Sequence, residues 1–536
     1  MSTPGLAGSF PLPRSIQVLP SYDASKQTTL IHMPGTRDAE TLQRSQQDSQ
    51  AAPLLSLDVF RLILEHLPRP DLLKLTFASR FVREEATREL LMRPVTLKGP
   101  EQLQSFCKFA LSGNPAKLSS LRTLVIQCVY GSLDEDDRDM IVAILRRCPN
   151  LTDLQLQQCD CLLTEDSRIP EAISSLPSLR KLSVSVWLAN GGVDAVLAAL
   201  RRMVASKKHS PLRSFHFSPI LNEDSFPTFL QEVASAHRGL ENFSIAFKHF
   251  LPPAGVSFPH VHTLRLEYQW ILPRLSDLYA AFPNLRVLRI SRHISTFPSN
   301  DVQPAERVSE TLHSQRAMWP SLDTLFTTPN VVHALGLFCP VRTLEIVFYD
   351  LKNHYRVAEV VSRLRPRKLS LAFFQVYNLA SMTPPAEPRL LLYNSGEAGV
   401  KHLSLRMPYN DTRPPETKHI LETMRPLLSA SRVELLQLTF AGTLRPENPS
   451  KIADGPLFRA QLEKSTKPPL QDDLEAAARA MVGMCTALQC IAITITDVSH
   501  TVWRIDKMGG RVEVVRLDSY EGKRFLEQEA TRCLED

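Results

Sequence analysis

The pattern of apolar and polar positions changes period twice along the chain. Up to about residue 52 there is no period at all. That stretch is rich in Ser, Thr, Pro and Gln and ends in "TLQRSQQDSQAAP", so it offers too little apolar area to offset its ordering entropy, and residues 1–52 are expected to be disordered. From Leu54 the period becomes helical, with Leu57, Phe60, Ile63, Leu64 and Leu67 on one broad face. Pro68 and Pro70 should stop that helix. Asp71 is placed to cap a second helix carrying Leu72, Leu73, Leu75 and Phe77, and Ser79 a third running through Phe81, Val82 and Ala86 to Leu90 and Leu91.

After about residue 115 a second pattern takes over. Its unit is an apolar residue, two variable residues, an apolar one, a variable one and a third apolar one. It recurs as "LRTLVI" at 121, "LTDLQL" at 151, "LRKLSV" at 179, "LRSFHF" at 212, "LENFSI" at 240, "VHTLRL" at 261 and "LRVLRI" at 285. A degenerate "LDTLF" starts at 322; "VRTLEI", "VKHLSL", "VELLQL", "LQCIAI" and "VEVVRL" come after it, with "RKLSL" at 367–371 a partial copy. Prolines such as those in "CPN", "LPS" and "FPN" precede many copies, where they end a helix and start an extended segment. Between copies lie helical stretches such as "RDMIVAILRRC" and "VDAVLAALRRM". Strand then helix, repeated, predicts an α/β fold in which units stack as a parallel solenoid. An ordinary α/β domain is the alternative, although thirteen or so near-copies exceed one normal sheet. The long intervals at about 293–318, 376–397 and 443–475 are expected to be exposed loops or local disorder.

In each unit the two later apolar residues should point inward, so the residue between them points out on the strand face. Those outward positions vary, and the middle of the array, with His216, Arg265, Glu267, Arg289, Arg292 and Glu345, is the candidate surface for a protein target.

Composition narrows the class. Apolar residues make up 43% and charged residues 22%, normal for a globular chain of several domains or repeats. No window approaches eighteen uninterrupted apolar residues, and the N-terminus lacks a basic region followed by an apolar core; neither a membrane span nor secretion is expected. Nine irregularly placed cysteines form no disulfide framework, which points to reduced, buried thiols and to cytoplasm or nucleus. The formal charge of +6 is spread along the sequence, whereas a nucleic-acid footprint needs cations on one face, so neither nucleic acid nor membrane is an expected partner.

Catalytic signatures are missing from the sequence. There is no "GxxxxGK[ST]", "GxGxxG" after a strand, "HExxH" or "GxSxG", and no Gly-rich loop is placed to cradle phosphate. His260 and His262 of "HVH" share a face of a presumed strand but lack a third ligand. The acidic run "DEDDRDM" at 134–140 suits a helix start. No cofactor, metal or catalytic residue is expected.

The repeated unit resembles leucine-rich repeats, whose parallel strands line a concave face with helices on the convex side. The match is loose: spacings run from 19 to 55 residues, and the family's Asn or Cys after the strand is kept at Cys159. Residues 55 to about 95 resemble an F-box, on "LDVFRLILEHL" followed by "RPDLLKLTFASRFVREEA", with Ser56 where the family has proline and Ala78 where valine is common. Together these imply a leader (1–52), a three-helix F-box (53–97), an irregular leucine-rich-repeat solenoid (98–520) and a C-terminal tail (521–536). The F-box resemblance implies docking onto the adaptor subunit of a cullin–RING ubiquitin ligase of the SCF type, and through it onto the cullin. The adaptor-facing residues would be Leu55, Leu57, Val59, Ile63, Leu67, Leu72 and Phe81. The repeats would then present an unidentified protein substrate, making the chain a non-catalytic recognition subunit. A repeat scaffold without ubiquitin transfer is the alternative. Three helices of about 35 residues are too few for an independent core, so their apolar face must be covered by the repeats or by a partner.

Overall fold

The computed structural model describes residues 56–112, 115–127, 134–186, 193–205, 212–221, 226–249, 252–271, 274–292, 319–349, 354–373, 399–409, 421, 424–425, 428, 431–442, 471–495, 499–509 and 511–535. The leader 1–52, Leu55 and most of the three long intervals lie outside them. Within the third interval, Gln471–Met484 is helical.

The chain divides into two compact units, Met1–Ile63 and Leu64–Asp536. In the first, the described residues are Ser56 and the opening of α1 (Leu57–His66). Ser56 Oγ accepts a hydrogen bond from the Val59 N–H at 3.3 Å and its carbonyl accepts the Phe60 N–H at 3.0 Å, so the serine acts as helix cap.

The second unit completes α1 and adds α2 (Arg69–Leu75) and α3 (Arg80–Met92). The two prolines end α1 as expected. Asp71, however, is not a cap: α2 begins at Arg69 after an extended Pro68, because proline is pre-set for the first helical turn, and Asp71 falls inside that turn. Ser79 does cap α3, its Oγ accepting from the Val82 N–H at 3.4 Å. Arg93 closes the end of α1. Its guanidinium donates to the carbonyls of Leu67 at 2.7 Å and of Leu64 and Glu65 at 2.9 Å, and to Glu89 Oε1 at 3.0 Å. The last carbonyls of a helix have no partner within it, and here one planar fork supplies them.

The rest of this unit is α/β, built on one sixteen-stranded sheet whose strands lie in chain order. The strands are β1 (Val95–Lys98), β2 (Thr123–Gln127), β3 (Asp153–Gln157), β4 (Lys181–Ser185), β5 (Ser214–Leu221), β6 (Asn242–His249), β7 (Thr263–Ile271) and β8 (Val287–Arg292). They continue as β9 (Leu322–Thr327), β10 (Val341–Tyr349), β11 (Lys368–Phe373), β12 (His402–Tyr409), β13 (Leu435–Gly442), β14 (Cys490–Ile495), β15 (Ser499–Met508) and β16 (Arg511–Leu517). Helices alternate with them: α4 (Gly99–Leu111), α5 (Glu135–Arg146), α6 (Asp160–Thr164), α7 (Arg168–Ser174), α8 (Val193–Ala205), α9 (Phe226–Ala236), α10 (Leu275–Ala281), α11 (Pro329–Leu335), α12 (His354–Leu364), α13 (Gln471–Met484) and α14 (Ser519–Glu535). Every pairing from β1 to β14 is parallel; β14–β15 and β15–β16 are antiparallel.

The core explains this order. Leu154 and Leu156 on β3 and Leu182 and Val184 on β4 point to the helix side in register, as do Phe215 and Phe217 on β5. Each new unit covers the apolar edge of the last, which a single unit cannot do alone. In the middle the rungs carry phenylalanine: Phe243, Phe258 and Phe282 stack with centroids 5.2 and 5.3 Å apart, beside Phe215, Phe217 and Phe229. The degenerate "LDTLF" is a full rung after all. Its third inward position is Thr327, paired with Ile346, and the buried Thr327 Oγ1 has no hydrogen-bond partner.

The C-terminal end departs from expectation. "VEVVRL" lies on β16 and runs antiparallel to β15 rather than extending the parallel array. Residues 521–535, expected as a tail, belong to α14. That helix packs Phe525, Leu526, Ala530 and Cys533 over Leu435, Cys490, Ala492 and Val502, on the face opposite the other helices. His260 and His262 also fall elsewhere than expected: they lie in the turn and connection before β7, so they share no strand face. Asp134 caps α5, accepting the Asp137 N–H at 2.7 Å, which accounts for the acidic run.

Candidate functional site

Among the described residues, thirteen large apolar side chains are exposed, and seven of them lie between residues 57 and 81. In the first unit these are Leu57, Val59, Leu62 and Ile63. All four belong to the opening of α1, where about 3.6 residues per turn spreads them over more than one side of the helix. In the second unit they are Leu73, Phe77 and Phe81, with Phe77 84% exposed. Water gains nothing from such side chains, and a chain of this size has enough core to bury a handful more.

The residues read from the sequence as adaptor-facing divide by burial. Leu57, Val59, Ile63 and Phe81 are exposed; Leu67 is half-buried; Leu55 is outside the described residues. Leu72 is a correction. It is fully buried and serves the chain's own packing, so it has no surface to offer a partner. Leu62, Leu73 and Phe77 are exposed as well, although the resemblance does not pick them out. Helical period finds an apolar stripe but does not say which arc of it is already covered.

The second surface is the sheet face away from the α4–α13 side. Strand register sets one residue per rung in a single row: Gln155, Ser183, His216, Ser244, Arg265, Arg289, Phe326 and Glu345 on successive strands β3 to β10. At about 4.8 Å per strand, His216 and Glu345 stand about 24 Å apart. Four of the predicted target residues, His216, Arg265, Arg289 and Glu345, therefore share one row, although more than a hundred residues separate the first from the last in sequence. Glu267 lies two positions along β7 and binds Arg265 Nη2 at 2.6 Å. Arg292 ends β8, opposite Tyr268, with its side chain outside the described residues.

Neighbours tune this row. His216 Nδ1 lies 2.6 Å from Ser244 Oγ, and burial, helped by the charges of Arg265 and Lys181 and opposed by that of Glu267, holds its pKa below the usual histidine value. The His216 ring is thus neutral at pH 7 and takes part as a hydrogen-bonding group. The Arg289 guanidinium lies over the Phe326 ring, 5.9 Å from its centroid, which keeps that cation extended across the rung. Ser244 and Phe326 join the set only through register, because each is an unremarkable variable position in its own copy.

Among the described residues no cluster of three or more His, Cys, Asp or Glu could hold a metal ion, and no helix is long and apolar enough to cross a membrane. Of the cysteines, Cys107, Cys148, Cys159, Cys339, Cys485, Cys490 and Cys533 are all buried and in no disulfide, and burial pushes the thiols of Cys107, Cys148 and Cys490 up to about 12. Such thiols are poor nucleophiles. A comparison with protein-family models gives no match, and neither does a search of curated proteins.

Proposed function

We propose that the chain is the substrate-recognition subunit of an SCF-type cullin–RING E3 ubiquitin ligase. Its N-terminal helices act as an F-box that docks the adaptor, and the strands of a leucine-rich-repeat-like array hold a protein target on the row from His216 to Glu345. The observation that carries this proposal is that uncovered apolar side chains are frequent in two nearby stretches of the sequence, Leu57 to Ile63 in the first unit and Leu73 to Phe81 in the second, while the sheet already has a continuous core of its own. The capped helices and the strand–helix units after them keep the order that the F-box and repeat resemblances imply. On this account the chain catalyses nothing itself, and works in the cytoplasm or nucleus.

The test is co-purification of the full chain with the adaptor. Leu62→Asp and Phe77→Asp, each at an exposed site, should abolish the complex, because each would bury an unpaired charge at a cost of several kcal/mol. Met508→Asp, also exposed but on β15, should leave it intact. If the wild-type chain captures no adaptor, or all three variants capture it equally, the proposal fails and a scaffold without ubiquitin transfer takes its place.

A further inference from the structure

Cations that look scattered in the sequence fall into one row in the fold. The residue second in each six-residue unit sits just before its strand or, at Asp323 and Arg342, second in it, and in most units its carbonyl accepts two backbone N–H groups of the next unit. Arg122 O accepts from Thr152 and Asp153 at 2.9 and 3.0 Å, and Arg180 O from Arg213 and Ser214 at 2.8 and 3.0 Å. The same link joins Arg286 to Asp323 and Thr324, and Arg367 to Lys401 and His402. These residues thus form a rim along the strand starts, one per rung, at about 4.8 Å spacing.

Charge on this rim is one-sided. Arg180 and Arg213 occupy adjacent rungs, and Arg342, Arg367 and Lys401 occupy three in succession, with Arg286 between the two runs. Of the carboxylates on the rim, Glu241 is met by Arg213 at 3.4 Å, and Glu434 by Lys401 at 3.6 Å and by Arg532 of α14 at 2.9 Å, while the half-buried Asp323 interrupts the cations between Arg286 and Arg342. Arg180, Arg286 and Arg342 are exposed and pair with no carboxylate among the described residues. Like charges on neighbouring strands work against the sheet that carries them, so folding does not account for this arrangement.

We propose that the rim reads an extended acidic segment of the polypeptide bound by the sheet, with Arg180, Arg286 and Arg342 as its main contacts. This deepens the target-binding reading above and rests on it. Guanidinium forks fit carboxylate and phosphoryl oxygens bidentately, as an ammonium does not. A polypeptide suits the interruptions, since it can place a neutral or basic residue opposite Glu241 and Asp323. A phosphodiester chain carries a charge at every step, and no Phe, Tyr or Trp stands on the rim to stack bases.

Fluorescence anisotropy with the full chain tests this, using three labelled probes: an oligoglutamate peptide, its glutamine counterpart and single-stranded oligodeoxythymidine. The glutamate peptide should bind, more weakly as salt rises, and the glutamine peptide should not. The triple variant Arg180→Glu, Arg286→Glu, Arg342→Glu should weaken binding at least about tenfold, the sum of several exposed charge pairs. The corresponding triple Gln variant should show a smaller loss in the same direction and covers the case in which charge reversal disturbs folding. Equal binding of the two peptides, tighter binding of the oligonucleotide, or unchanged affinity in both triple variants would overturn the proposal. Adaptor capture, measured on the same samples, separates failure here from failure of the ligase assignment.

Discussion

His402 shows how one residue couples this fold to pH. It is 1% exposed at the start of β12, and burial, with the charge of Lys368 as a lesser cause, depresses its pKa to about 3. An unfolded chain would protonate the same ring near pH 6.5. As pH falls below 6.5, the unfolded state therefore gains a proton that the folded state refuses, and stability drops until about pH 3. Between pH 7.5 and pH 5 the native chain should lose roughly 2 kcal/mol more than a His402→Gln variant does. Urea denaturation at the two pH values measures this; parallel losses in both proteins would show that His402 is not the source. Arg93 acts at the same scale but through geometry. Three hydrogen bonds from one guanidinium tie the end of α1 to α3, a fourth to Glu89 steadies it on α3, and a lysine there could not reproduce the fork.

Among the elements, α14 has the clearest consequence. It covers Leu435, Cys490, Ala492 and Val502, which otherwise form an apolar patch on a face that is polar at the earlier rungs. Arg532 fixes it by bonds to Glu434 Oε2 at 2.9 Å and Gln489 Oε1 at 2.7 Å. A chain ending after Leu517 should bind a hydrophobic dye strongly and unfold at lower denaturant than the full chain. Unaltered dye binding would mean that α14 covers nothing of consequence. The parallel rungs were legible in the sequence because their inward residues recur with fixed spacing, even at the degenerate β9. Direction was not, since the alternation in "VEVVRL" is the same for either sense of the strand. A signal did exist there: three residues between β14 and β15 are too few for a parallel crossover, which needs a dozen or more. The four-residue β1 was too short to register as a copy.

Across the whole molecule, stacking turns sequence distance into adjacency. The row from His216 to Glu345 and the rim from Arg122 to Lys401 are each built from residues about 20 to 40 positions apart, so only the first was visible as a candidate surface, through its place in the repeated unit. The rim was hidden because net charge, read along the chain, looks evenly spread. The N-terminal helices were legible as amphipathic elements, but their covered arc was not, and Leu72 reads as partner-facing for that reason. Amide hydrogen exchange of the full chain, with and without the adaptor, tests the central claim most directly. Protection confined to α1, α2 and α3, with the β2–β14 rungs unchanged, is the result predicted here; protection on the sheet instead, or none anywhere, would contradict it.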